Sequence, residues 1–473
     1  MAPDGQVVSA GAQHRLWPFV ERVLRAFDVP GIAVGLVADG ELAAARGFGV
    51  RDRTTSEPVT EDSMFHLASV SKPFVAVAML QLAERGQVDL DAPVLTYLPY
   101  FRVLGGHTEA ITVRHLLTHT AGIPDVEDYR WHEPEHDDGA LERFVRSVAA
   151  STSERAPGGE VHYCNTGYEI AGDIIAKVGG RSFEDHLRTR VLIPAGMTRS
   201  TFIPREVPGR LATAPHLGVP AAVLPGVYPY HRGHAPSSTL HSSVVELSRF
   251  ATTLLDGDSL ISRLTRDRMW QRQTSVDWSD IADGVGTGWF LGGYRGRVLV
   301  GHEGEDPGFT AYLGLVPELR GAVVLLANSN SVPLATLTRA ALDVLLGEGV
   351  DEFEVPTTPI TVPVGAVLAE HGVFAAIAEY RRLADDPTYD ASPDVFMDAA
   401  WAAIEVYRSD TVRPLLETWT RVQPDSAQAW EATGWADLHE GDREAATTHL
   451  RRALSLDPGA EDAARLLRRA ERG

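Results

Sequence analysis

The sequence predicts an α+β chain: an antiparallel sheet flanked by helices, with a helical lobe inserted into it, followed by an all-α region. Three observations carry this. β-like runs stand at both ends of the first 350 or so residues, and helical segments fill the middle. Beyond a Pro/Thr-rich stretch only helical patterns remain. At 473 residues the chain exceeds one ordinary domain, and 44% hydrophobic residues suffice to fill two or three cores.

HRLWPFVERVLRAF (14–27) is amphipathic and opens the fold as a helix. PGIAVGLVADGELAAARGFGV (30–50) gives two strands around an Asp39-Gly40 turn. SMFHLASVSKPFVAVAML (63–80) reads as a loop entering a buried helix. Helical segments separated by Pro and Gly turns occupy about 90–250, with an irregular piece from about 204 to 239. From 286, TGWFLGG, RVLVGHEG, FTAYLGLV and GAVVLLAN return to strands, and PLATLTRAALDVLLG closes the unit with a helix near 347. Two early strands and at least three late ones imply a sheet of about five, with a cleft where lobe and sheet meet. Residues 1–349 therefore form one domain with its lobe at about 90–250, and 350–367 form an extended linker. Residues 368–473 form a helical domain in which Pro387, Pro424 and Pro458 recur at intervals of 37 and 34. Its last unit, two helices around Glu440-Gly441-Asp442 with Ala445 and Ala453 at packing spacing, resembles tetratricopeptide repeats. Such a surface suits peptide binding or self-association, and equally a clamp on the first domain.

A net charge of −21 argues against nucleic acid and anionic membrane surfaces as partners. No run approaches the ~20 apolar residues of a membrane span, and no signal peptide is visible, so a cytoplasmic location is expected. Cys164 is the only cysteine, which excludes an internal disulfide and a multi-cysteine metal site. No cofactor or metal is expected. His115 and His119 stand at i,i+4 without an intervening Glu, and His132 and His136 sit in a solvated acidic loop.

Lys72 and Lys177 are the only lysines among 43 basic residues. Arginine cannot give up its proton, whereas a desolvated lysine can. Of Ser63, Ser69 and Ser71, only Ser69 stands three residues before Lys72, on the same face of a helix that begins there. Ser-x-x-Lys is the pattern of serine acylation with lysine handling the proton. In PGGEVHYCNTGYEIAG, Tyr163 supplies a proton relay, as a tyrosinate or hydrogen-bonded to Lys72, and Asn165 an amide for Lys72 or a substrate carbonyl. Cys164 between them is a small buried residue. On RVLVGHEGEDPGF, His302 and Gly304 share an edge of the sheet, and the glycine admits a substrate backbone or acyl group. The N–H groups of Ser69 and Glu305 make the oxyanion hole. Tyr228, Tyr230, His231 and His234 in VYPYHRGHAPSS are expected to wall the cleft.

With these motifs in hand, the first 347 residues resemble the serine β-lactamase and penicillin-binding-protein superfamily, in its class C-like branch of esterases and D-amino-acid peptidases. Ser69-Val-Ser-Lys72 matches the family's Ser-x-x-Lys, Tyr163-Cys-Asn165 its Tyr-x-Asn, and His302-Glu-Gly304 its Lys-Thr-Gly or His-x-Gly. ITVRHLLTHTAGIPD (111–125) is similar to a stretch typical of the branch, and some members carry a tetratricopeptide-like extension. The resemblance implies the split-sheet fold and an acyl-enzyme hydrolase of small molecules or short peptides. His302 stands where penicillin-recognising members have lysine, with Glu303, Glu305 and Asp306 around it, which argues against strong β-lactamase action. An esterase and a D-amino-acid peptidase or aminopeptidase remain open, and a non-catalytic peptide-binding scaffold is the third reading.

Overall fold

Strand β1 (Gly31–Ala38) is buried along its whole length, and its alternation sets the two sides of the sheet. Ile32, Val34 and Leu36 enter a core with Phe19, Val20 and Val23 of helix Ala10–Ala26 and Leu337, Ala341 and Leu345 of helix Leu334–Leu346. Ala33 and Val37 point the other way, to Phe74 and Val77 of helix Lys72–Glu84 and Phe250 and Leu254 of helix Val244–Asp256. Helices Ala10–Ala26 and Leu334–Leu346 cover one face, and helices Lys72–Glu84 and Val244–Asp256 stand on the other. The computed structural model describes residues 10–471, except 154, 277–280 and 348–352.

β2 (Glu41–Asp52) pairs with β1 across the Asp39-Gly40 turn, and β3 (Glu57–Pro58) continues that edge. β4 (Phe65–His66) and β5 (His241–Ser242) form a separate short pair beside the site. The remaining strands of the main sheet are β6 (Thr274–Ser275), β7 (Gly284–Val285), β8 (Phe290–Tyr294), β9 (Arg297–Asp306), β10 (Phe309–Val316) and β11 (Gly321–Ala327). The described sheet is antiparallel, ordered β3-β2-β1-β11-β10-β9-β8-β7-β6. It has nine strands rather than about five, because the two-residue strands β3, β6 and β7 are too short to leave an alternating pattern.

The first strand of the chain and the last strand of this sheet thus meet near its centre: Ile32 pairs with Ala327 and Val37 with Ala322. The lobe between them contains helices Val113–Leu117, Ala140–Ser147, Asn165–Gly179 and Phe183–Leu187. Helix Val244–Asp256, expected to close the lobe, packs on β1 and β11 and covers the sheet instead.

Beyond the sheet the chain is helical: Thr361–Leu383, Pro393–Glu405, Arg413–Val422, Ala427–His439, Arg443–Leu456 and Glu461–Glu471. The first of these corrects the extended reading of 361–367, while 350–352 of that stretch lie outside the described residues. In the last hairpin Ala446, Leu450 and Ala453 are buried, so the inward stripe runs through Ala446 rather than Ala445. Helix Thr361–Leu383 is long and apolar enough, by length and composition, to cross a membrane. Gly372 (φ 77°) breaks it midway, and each half is much shorter than the ~30 Å hydrocarbon core. Its inward residues Val364, Ala376 and Leu383 pack with Phe396 and Trp419.

Candidate active site

Ser69 sits on a tight turn, Ala68–Ser71, that runs directly into helix Lys72–Glu84. Ala68 enters the turn at φ 46°, a left-handed conformation that a side chain adopts only under constraint. Every residue from Lys72 to Leu82 is buried, because this helix is enclosed between lobe and sheet. Lys72 is 0% exposed and its Nζ lies 2.7 Å from Ser69 Oγ. Nζ also donates to the Ser237 carbonyl at 3.0 Å, while Tyr163 Oη donates to Ser69 Oγ at 2.8 Å. Burial pushes the Lys72 ammonium down to about 8, against the pull of Glu169, Asp125 and Asp306. Burial holds the Tyr163 phenol well above its ordinary value, so it rests protonated. The other two serines have structural partners. Ser63 Oγ accepts from the Thr60 N–H at 2.9 Å, and Ser71 Oγ accepts from the Leu240 N–H at 3.0 Å.

Several supporting residues were not singled out by the sequence. Ser237 Oγ donates to Glu169 at 2.5 Å, fixing the backbone whose carbonyl receives Lys72. Glu169 is fully buried, which holds its carboxyl well above the usual range. The His119 ring stacks on Tyr163 with centroids 4.4 Å apart, and its Nδ1 accepts from the Cys164 N–H at 3.0 Å. Both histidines of the i,i+4 pair have backbone partners: His115 Nδ1 accepts from the Thr112 N–H at 3.2 Å, capping its helix. Asp125 and Ser237 lie within the quoted stretches ITVRHLLTHTAGIPD and VYPYHRGHAPSS, so their segments were legible although their roles were not. Glu169 is one acid in a helix and gives no local signal.

Three expectations change. Asn165 gives its amide N–H groups to Asp125 Oδ2 (3.0 Å) and Tyr129 Oη (2.5 Å), not to Lys72. Tyr163 touches Lys72 through its ring face, 5.0 Å from Nζ, rather than by a hydrogen bond. Tyr228, Tyr230 and His231 do not line the cavity at Ser69. Tyr228 Oη is bonded to His241 Nε2 (2.7 Å), Tyr230 stacks on His136, and His231 Nδ1 accepts from the Gly233 N–H. His234, also expected in that wall, is buried against Phe144 and Tyr129.

On β9, residues 302–306 lie past the end of β8, which pairs only with 297–301. That edge faces the Ser69 turn. A Cβ on Gly304 would stand 2.2 Å from the Leu67 carbonyl and 2.9 Å from the Ser69 nitrogen. The glycine therefore admits the nucleophile's own turn, not a substrate group, and brings the backbone of Glu305 beside that of Ser69. His302 is buried, bonded through Nδ1 to the Glu303 carbonyl (2.6 Å), and pushed by burial down to about 3, so it is neutral. Glu303 faces the opposite side of the strand, opposite Tyr312 in register. The acids that line the cavity with Ser69 are Glu305, which accepts from Asn330 at 3.1 Å, and Asp306, bonded to His66 at 2.6 Å.

Ser69, Tyr163 and Asn165 open into a cavity of about 520 Å³ that Asp125, Glu305 and Asp306 also line. Its far side belongs to the C-terminal helices, through Trp401, Glu405, Trp435 and Arg469. Those helices are docked by Asp128, which accepts hydrogen bonds from Tyr407 and from Arg469 (3.2 Å). Trp131 and Leu217 pack with Ala402 and Val406 alongside.

Comparison with known proteins agrees with this arrangement. Residues 20–346 match the family model described as beta-lactamase. Penicillin-binding protein 4 of Amycolatopsis lactamdurans is 32% identical over 358 residues, covering 71% of this chain and 91% of that protein. Protein flp of Staphylococcus aureus is 24% identical over 68% of this chain, and the match spans 64% of that protein's length. The octameric penicillin-binding protein homologue of Pyrococcus abyssi superposes with a TM-score of 0.66 at 28% identity, over 75% of this chain and 81% of that one. The D-amino acid amidase of Ochrobactrum anthropi SV3 shares the fold, with a TM-score of 0.61 at 23% identity over 72% and 99% of the two chains. On the family match and the coverage of these relatives, the chain belongs to the β-lactamase family, within the β-lactamase and penicillin-binding-protein superfamily.

Proposed function

We propose that the protein is a serine hydrolase that works through an acyl-enzyme on small ester or amide substrates. The observation that carries this is the convergence of Lys72 Nζ (2.7 Å) and Tyr163 Oη (2.8 Å) on Ser69 Oγ. With Lys72 neutral, its lone pair takes the Ser69 proton as Oγ bonds to the substrate carbonyl carbon. The N–H groups of Ser69 and Glu305 stabilise the resulting oxyanion. Tyr163 gives its proton to the leaving oxygen or nitrogen, the C–O or C–N bond breaks, and Lys72 restores the tyrosine proton. Water then attacks the acyl-enzyme, its proton passing to the same pair and back to Ser69 as the acid leaves. Asn165 orients the site through Asp125 and Tyr129, and neutral His302 is a positioning neighbour of the Tyr163 ring rather than a cation for a lactam carboxylate.

The carboxylates on the cavity wall favour one narrower reading: amides or esters whose acyl part carries an ammonium, as in an aminopeptidase-like or D-amino-acid amidase-like enzyme. The C-terminal helices are read as a tetratricopeptide-like extension. The basic test is labelling with a fluorophosphonate: Ser69→Ala abolishes it and Ser71→Ala retains it. Labelling that survives Ser69→Ala would falsify the assignment. Hydrolysis of p-nitrophenyl butyrate, D-alanyl p-nitroanilide and nitrocefin then ranks substrates, with nitrocefin expected last.

A further inference from the structure

We infer that the C-terminal helices complete the catalytic cavity, and that Glu405 on them binds a cationic group of the substrate. The inference rests on the reading of Ser69 as nucleophile. Helix Pro393–Glu405 turns one face to the catalytic domain. Ala402 joins the apolar contact with Trp131 and Leu217, while Trp401 and Glu405 reach the cavity itself. The arginines on the same side are already answered. Arg465 is paired with Asp462 at 2.9 Å, and Arg469 with Asp128 at 3.2 Å. Glu405 makes no hydrogen bond or ion pair among the described residues.

A second observation on the opposite wall also asks for a donor. Asn165 is only 9% exposed and lines the cavity, yet its Oδ1 accepts nothing. A buried acceptor left unpaired is costly, and an N–H from a ligand satisfies it. The same cavity is lined by the aromatic rings of Tyr129, Trp131, Trp401 and Trp435. Aromatic faces with an unpaired carboxylate are the chemistry that selects an alkylammonium over a neutral or anionic group. Burial, with Asp128 and Asp306 outweighing Arg469 and Arg465, pushes the Glu405 carboxyl up to about 8, and an adjacent cation from the substrate favours its ionised form.

The test uses the full-length chain and two benzyl esters of equal acyl length, alanine benzyl ester with an ammonium and benzyl propionate without one. Wild type is expected to favour the ammonium ester, and Glu405→Gln to lower that kcat/KM ratio ~10-fold, mainly through KM. Glu405→Asp is expected to keep most of the preference. A ratio unchanged within about twofold in a Glu405→Gln protein still labelled at Ser69 overturns the inference and leaves the nucleophile standing. A second measurement needs no turnover: calorimetric binding of benzylammonium and its neutral isostere benzyl alcohol to the Ser69→Ala chain. Tighter binding of the cation that is lost on adding Glu405→Gln supports the inference even if neither ester is cleaved, in which case the hydrolase reading alone fails. Equal binding of the two overturns it.

Discussion

The two walls of the Ser69 cavity are built differently. On the catalytic side each reactive group is held by another: Tyr163 and Lys72 by Ser69, Lys72 also by Ser237, and Ser237 by Glu169. Asn165 is fixed in turn by Asp125 and Tyr129. On the C-terminal side Trp401, Glu405 and Trp435 face the same space, and the docking rests on a few contacts around Asp128, His132 and Trp131. A pre-organised network suits chemistry, because its partners need not move when charge develops. A wall with an unpaired carboxylate suits selection, since what binds there supplies the missing partner. The comparison divides the molecule into one part that reacts and another that chooses.

The largest effect separating the walls is expected from Lys72→Arg. It keeps a cation but removes the base, and should lower kcat/KM on p-nitrophenyl butyrate at least ~10³-fold in steady-state assays. Tyr163→Phe is expected to cost ~10²-fold or more, with the larger loss on an anilide than on a p-nitrophenyl ester, because the poorer leaving group needs the proton. A loss equal on both substrates would refute the role of Tyr163 as acid.

The pH profile sharpens the catalytic side further. Only neutral Lys72 accepts the Ser69 proton, and the ammonium titrates at about 8. Activity on a neutral ester should therefore rise with pH, roughly tenfold per unit well below 8, and level off above it. A flat profile between pH 5 and 8 would contradict that assignment.

On the selecting side, Tyr407→Phe removes one of the two hydrogen bonds from the C-terminal region to Asp128 and loosens the roof. The expected effect is severalfold: the kcat/KM ratio of octanoate to acetate p-nitrophenyl esters rises as longer acyl chains gain room. The smallest effect on rate belongs to Ser71→Ala. It leaves the Leu240 N–H unpaired in the interior and should lower stability by about 1–3 kcal/mol in urea unfolding, with labelling of Ser69 unchanged.

Helix and strand identities followed from local pattern. The alternation of β1, the Asp39-Gly40 turn and the apolar run behind Lys72 each lie within a few residues. The choice of Ser69 over Ser71 was equally local, since three residues along a helix bring two side chains together while one or two do not. Local pattern was least informative where pairing is brief, as in the two-residue strands, or where a break interrupts a helix, as at Gly372.

By itself, then, the sequence determined the α+β fold class and the SVSK, YCN and HEG motifs. It also marked a conspicuous lysine in a chain that otherwise uses arginine. Tertiary structure alone decided what surrounds them. Gly304 makes room for the Ser69 turn rather than for substrate, Asn165 turns its amide to Asp125, and Tyr228 is drawn away to His241. The wall expected from residues 228–231 comes instead from Trp401, Glu405 and Trp435, more than 330 residues beyond Ser69. The reason is physical: spacing along a helix or strand fixes which neighbours share a face, but contacts between distant segments depend on how whole faces pack, which no local spacing encodes.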